Sequence, residues 1–140
     1  MQLEADLVLE LDVEVGEVQE VGKTPEGFLR LIPITGGTFK GTNIKGKVIS
    51  GGYDWNTALD ENMAHVFAKY SLQTDDGVYI SVENEGYLDS RTQDSVIKTN
   101  PRFQVADGKY DWLRSGVFVG SLEAAKTEKP GVCIKIYRMK

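Results

Sequence analysis

The sequence has one cysteine and one histidine in 140 residues. A lone cysteine forms no internal disulfide, and the two counts together exclude zinc fingers, cysteine-rich scaffolds and multi-histidine metal sites. Basic residues are outnumbered, 16 Lys and Arg against 21 Asp and Glu, for a net charge of −5. A domain that neutralises phosphates needs a basic surface, so nucleic acid is not an expected partner. No apolar run approaches the roughly 20 residues that span a bilayer, and no membrane partner is expected either. The start, Met1-Gln2-Leu3-Glu4-Ala5-Asp6, sets acids where a secretory signal has basic residues and then an apolar stretch. The expected location is cytoplasmic. Proline is scarce at 4, and glycine is plentiful at 15. A chain of this length buries roughly 70% of its unfolded surface and is read as one domain, residues 1–140.

What is present is alternation. Leu3, Ala5, Leu7, Leu9, Leu11, Val13 and Val15 are apolar at odd positions, with acids at most even ones and Val8 the exception. Period two means a strand with one buried and one wet face. At roughly 3.3 Å per residue the run would span about 43 Å, long enough to require a bend or bulge, and Gly16 marks the expected phase slip. Lys23 to Gly27 is a turn cluster. Phe28 to Thr35, Thr38 to Lys40 and Ile44 to Ser50 read as strands separated by Gly36-Gly37 and followed by Gly51-Gly52. Short strands so punctuated fit a sandwich or barrel.

Residues 56–70 match helical and strand periodicity equally well. The Asp75-Asp76-Gly77 hairpin signal, with Val78, Ile80 and Val82 alternating after it, makes 63–74 a strand. Residues 84–100 are polar and read as a long irregular loop. Arg102 to Val105 suggests a short strand, Trp112 to Ser121 alternates, 121–129 is a loop or a short helix, and Val132, Ile134 and Ile136 alternate to the end. Residues 1–26 carry eight acids and one base, whereas 126–140 carry five bases and one acid. Opposite charges on facing strands favour pairing by roughly 0.2–1 kcal/mol each, so the first and last strands are expected side by side, closing a barrel.

Several blocks in order resemble one family. Ile34 to Gly41, Gly46-Lys47-Val48 and Gly51 to Trp55 form the first signature. Tyr70 to Gly77, Lys98 to Phe103, Tyr110 to Leu113 and Phe118-Val119-Gly120 follow. Together they are similar to the domain of unknown function 3237 family, the uncharacterised UPF0311 group, and cover nearly the whole chain. The resemblance implies a small antiparallel β-barrel and carries no settled activity. The chain departs from the family pattern at Lys69, where arginine is usual, and in the variable stretch 86–97.

Two motifs fail on chemistry. Gly41 to Val48 imitates a phosphate-binding loop, but Val48 stands where Ser or Thr would ligate magnesium and a strand follows instead of a helix. Gly77 with Glu83 imitates a calcium loop whose first ligand would be Leu72. His65 lies opposite the apolar face of its strand and belongs to no nucleophile motif. Cys133 sits between core-facing Val132 and Ile134 and reads as an inert thiol.

Asp54-Trp55 has more to offer. At a barrel rim the carboxylate can act as a base and the indole as a wall; the competing reading has Asp54 capping a turn and Trp55 plugging the barrel end. Tyr70, Thr74, Thr99, Arg102 and Trp112 are the other signature polar or aromatic residues, and lining one cavity they would supply hydroxyls, an anion clamp and aromatic walls. Thr74 can equally bond the turn backbone. The expectation is therefore an all-β antiparallel barrel, closed or nearly so, of about eight to ten strands. It is expected to bind a small, partly aromatic or carboxylated molecule in its mouth. Asp54 and Tyr70 would serve proton-transfer, lyase or isomerase chemistry, with Trp55, Thr74, Thr99, Arg102 and Trp112 as binding residues. No metal or redox cofactor is implied. The rival is a non-enzymatic interaction module with a filled core that binds through an exposed edge strand and self-association, such as a homodimer; an internal cavity of roughly 300 Å³ or more lined by these residues favours the first reading.

Overall fold

A computed structural model describes residues 1–92 and 96–140. Among them nine strands run in chain order: β1 (Ala5–Val15), β2 (Gln19–Thr24), β3 (Gly27–Gly41), β4 (Ile44–Ala58), β5 (Met63–Thr74), β6 (Tyr79–Asp89), β7 (Ile97–Gln104), β8 (Phe118–Ala124) and β9 (Gly131–Met139). One helical turn, α1 (Trp112–Ser115), lies between β7 and β8. From β2 to β9 each strand pairs with its neighbours in sequence, and β1 pairs with β9. Every pairing is antiparallel. β1 also pairs with β3, so β1 and β3–β9 close an eight-stranded barrel and β2 is left as an extra strand on β3.

The strand 63–74 runs as the hairpin signal indicates, and the ambiguity over 56–70 resolves into strand, a turn at 59–62 and strand. The terminal strands are adjacent, with Glu10 opposite Lys135 and Asp6 opposite Arg138. Lys129 bridges to Glu14 at 3.5 Å and Lys140 to Asp6 at 3.6 Å. All four groups are exposed, so these pairs contribute little and select register more than stability. β1–β9 pairing does not complete the ring by itself; the closing seam is β1 against β3.

Four expectations need correction. The bulge of β1 against β9 falls at Val8, where the register shifts between Leu7 and Leu9, and the register against β3 shifts again between Glu14 and Val15 just before the strand ends ahead of Gly16. Residues 84–89 and 97–100 are not loop but the ends of β6 and β7. Their alternation is hidden because their inward positions, Asn84, Gly86 and Thr99, are polar or bare. Residues 112–115 are helical. Residues 121–124 continue β8.

β3 turns from one partner to another along a single edge. Leu31 back to Gly27 pairs with β2, and Ile34 onward pairs with β1. The bend is made at Gly36 and Gly37, where the register against β4 also breaks. At Gly37 φ is +131° and a Cβ would stand 2.0 Å from the Asp12 carbonyl oxygen, so only glycine lets the closing strands meet.

The interior divides into two levels. Toward one end it is filled by Leu9, Leu11, Phe39, Leu72, Ile80 and Ile136, all buried. Tyr110 and Leu113 enter the same core from the β7–β8 connection. Tyr110 Oη donates to Asp76 Oδ1 at 2.8 Å, and Asp76 also takes the Thr74 hydroxyl. This pins the connection to the β5–β6 turn and closes that end. Replacing Gly37 with alanine is expected to cost well over the ~1 kcal/mol of an ordinary Gly→Ala change at a strained site. Urea unfolding at neutral pH measures it; a loss of a few tenths would contradict the closing role.

Candidate functional site

Toward the other end the interior is hollow. The cavity measures about 200 Å³, smaller than the size expected of a ligand-sized pocket, and is bounded mainly by apolar side chains. Val13 and Val15 line it from β1, Ile32 and Ile34 from β3, and Val132 and Ile134 from β9. Into this apolar space four strands send polar groups: Asp54 and Asn56 from β4, Tyr70 from β5, Asn84 from β6 and Thr99 from β7.

Register explains the convergence. Ile32, Asp54, Ala68 and Asn84 are successive cross-strand partners over β3–β6, so Asp54 and Asn84 flank a single methyl group at one level. The small Ala68 leaves the space between them open. Tyr70 lies one inward position along β5, where Gly52 makes room: a Cβ on Gly52 would stand 2.5 Å from the Tyr70 Cβ. Thr99 is paired with glycines on both sides, Gly86 and Gly120, and a Cβ on Gly120 would meet its Oγ1 at 2.4 Å. Gly120 is therefore a clearance for the Thr99 hydroxyl, while Gly52 and Gly86 let the backbones of Lys69 and Lys98 approach closely.

Five atoms of these side chains lack partners. Asp54 Oδ1, Tyr70 Oη, Asn84 Oδ1 and Nδ2, and Thr99 Oγ1 are buried and accept or donate no hydrogen bond within the protein. Tyr70, Asn84 and Thr99 are at most 5% exposed. Each such orphan costs about 1–3 kcal/mol unless something fills its bonding capacity. Burial pushes the Asp54 carboxyl above its ordinary 3.8, against a weaker pull from the Phe67 backbone amide and the His65 ring. Tyr70 is raised well above its usual value, first by burial and then by the neighbouring Asp54 charge, so it remains a phenol at neutral pH.

The sequence-derived candidates thus separate. Asp54, Tyr70 and Thr99 share the cavity; Trp55, Thr74, Arg102 and Trp112 lie elsewhere. Adjacent strand residues face opposite sides, so Asp54 and Trp55 cannot both point inward. Trp55 is on the outer wall, tilted against Tyr53 and Phe67 at 6.0 and 6.5 Å between ring centroids. Arg102 lies between buried Pro101 and Phe103 and faces out beside Ser81 and Arg114. Thr74 accepts the Val78 N–H at 2.9 Å and holds the turn. Trp112 packs on Phe118 near the filled end, with the Arg138 guanidinium 5.6 Å over its ring. His65 is on the outer wall, 2.7 Å from Glu85 Oε2. Burial and the nearby Asp12 and Glu123 raise the Cys133 thiol, which disfavours the thiolate. Asn84 and Asn56 are the cavity residues that sequence reasoning missed; their only signal was an asparagine in phase with Ile80 and Val82 on β6, and one in phase with Asp54 on β4.

The family described as protein of unknown function (DUF3237) matches residues 3–139. A UPF0311 protein of Rhodopseudomonas palustris is 33% identical over 133 residues, covering 85% of this chain and 87% of its own. A solved β-barrel-like protein of Acinetobacter baumannii is 29% identical with a TM-score of 0.86, covering 100% of this chain and 98% of its own. A solved enzyme from Penicillium herquei shares the fold, with a TM-score of 0.76 at 18% identity over 100% of this chain and 96% of its own.

The raised Asp54 carboxyl fixes a pH dependence. Above the unfolded value of 3.8 the native protein still holds a proton that the unfolded chain has released, so stability falls as pH rises until the folded value is passed. Asp54→Asn lacks this loss. Urea unfolding of both proteins from about pH 4 to 8 should show the variant gaining on the parent as pH rises and then a plateau; a constant difference would contradict the burial of the charge.

Proposed function

Because the chain belongs to the DUF3237 family, whose description carries no activity, we propose a function from the cavity itself: the protein binds a small organic molecule in the hollow end of its barrel. The observation that carries this reading is the convergence of five unpartnered polar atoms on one apolar hollow. Natural cores seldom leave such groups unsatisfied, and a bound molecule would complete their hydrogen bonds. A few placed polar groups in an apolar enclosure is the composition of a ligand site. An eight-stranded barrel is wide enough to be filled or to hold one small ligand, and here one end is filled and the other is not. At about 200 Å³ the hollow falls short of the roughly 300 Å³ that would decide for a ligand pocket by size, so the unpartnered polar atoms, not the volume, support this reading over a self-associating module with a filled core.

Asp54 and Tyr70 also suit proton transfer. A carboxyl raised by burial moves toward the range in which it takes up and returns protons near neutrality. Tyr70, held as a phenol, donates to an oxygen on which negative charge develops. A base and an acid on one small molecule perform the step common to isomerases and lyases. Asn84 and Thr99 would orient the molecule. Trp55, Thr74, Arg102 and Trp112 take no part in this scheme, since their side chains lie outside the hollow.

A thermal-shift screen of small organic molecules tests the binding. A ligand present at a hundred times its Kd stabilises the native state by about 2.7 kcal/mol. Tyr70→Phe and Asn84→Leu should reduce the shift of every molecule that stabilises the parent; unchanged shifts would place binding elsewhere. For a ligand so found, solvent deuterium exchange into its C–H positions should slow by about 10²–10⁴-fold in Asp54→Asn if that carboxylate is the base.

A further inference from the structure

We propose that the molecule taken by this cavity is an uncharged single ring that presents a carbonyl beside a hydroxyl or ring N–H, and that Asn84 reads that pair. The inference rests on the reading of the hollow as a binding site and adds the chemistry of what enters it.

Size sets the first limit. An apolar cavity of about 150 Å³ takes one benzene. The hollow here is about 200 Å³, so it accommodates one ring with one or two small substituents.

Charge sets the second. Among the described residues lining the hollow none is lysine, arginine or histidine, and one is an acid. A carboxylate or phosphate would give up its water for no cation and come to rest near Asp54. The anion clamp that Arg102 might have supplied faces the outside, opposite Glu83 across the β6–β7 pair. An ammonium ion would give up its water for Asp54 as its one counter-charge among the described lining residues. The remaining polar groups, two hydroxyls and two amides, suit a neutral ligand.

Asn84 sets the third. It is 3% exposed, and both its amide oxygen and its amide nitrogen are without partners. A carboxamide offers an acceptor and a donor side by side. Its complement is a donor and an acceptor side by side on the ligand, as in a cyclic lactam or a hydroxyl next to a carbonyl. Exchanging the assigned oxygen and nitrogen leaves this complement unchanged. Ala68 and Gly86, the inward neighbours across from and along β6, keep the amide approachable. Asn84 is thus a specificity-determining residue, with Tyr70 and Thr99 as adaptable hydroxyls beside it.

The test uses four probes of similar size: 2-pyridone, benzoate, benzylammonium and toluene. Each is titrated into the full-length ¹⁵N-labelled protein while the backbone amides of Ala68, Gly86 and Gly120 are followed by NMR. The expected result is that 2-pyridone moves these amides with an affinity about tenfold or more above the other three. Asn84→Leu should remove that advantage while toluene still binds; should the leucine variant lose its dispersed spectrum, Asn84→Asp supplies the same comparison for 2-pyridone. Benzoate or benzylammonium binding as tightly as 2-pyridone would overturn the uncharged class and leave the pocket standing. Equal binding of toluene, or an unchanged preference in the Asn84 variant, would overturn the role of Asn84. If no probe moves these amides, the binding-site reading itself fails and the inference falls with it.

Discussion

Closing a sheet on itself gives every strand an inside, and whatever alternates inward must share one small lumen. That closure depends on β1 meeting β3 edge to edge, and the meeting depends on Gly37 passing under the Asp12 carbonyl. Without the seam β1 would end an open sheet, and Val13, Ile34 and Ile134 would not bound a common space. The barrel is therefore the prior condition of the cavity, not merely its container.

Given closure, the two ends differ by what they send inward. The filled end uses branched and aromatic side chains and borrows Tyr110 and Leu113 from the β7–β8 connection to complete its packing. Asp76 fastens that connection by collecting hydrogen bonds from Thr74 and Tyr110, which hold its carboxyl below the usual range. The hollow end substitutes glycine, alanine and polar residues at the equivalent positions: Gly52, Ala68, Gly86 and Gly120 surround Asp54, Tyr70, Asn84 and Thr99. Small neighbours beside unsatisfied polar groups sacrifice stability locally, and the filled end offsets that loss through its packed core.

Much of the fold was legible because hydrophobic alternation reports an ordinary core. β1 announced itself through Leu9, Leu11 and Val13, and the Asp75-Asp76-Gly77 turn located β5 and β6. Even Val8, the break in the pattern, marks a real bulge. Legibility ended where the lumen stops being apolar. Asn84, Gly86 and Thr99 face inward, yet they read as loop residues, since alternation is sought in apolar side chains. The same features that hide β6 and β7 are those that make the site. Asp54 and Tyr70 were accessible as signature residues; the separation of Asp54 from Trp55 follows from strand geometry alone, once 54–55 is known to be strand.

The central claim is that the polar groups of the hollow end are completed by something bound there. A high-resolution crystal structure of the protein tests it directly through the density in the cavity. The account expects an ordered molecule or water cluster within hydrogen-bonding distance of Tyr70 Oη, the Asn84 amide and Thr99 Oγ1. A collapsed cavity, with those side chains bonded to one another or turned out to solvent, would contradict it.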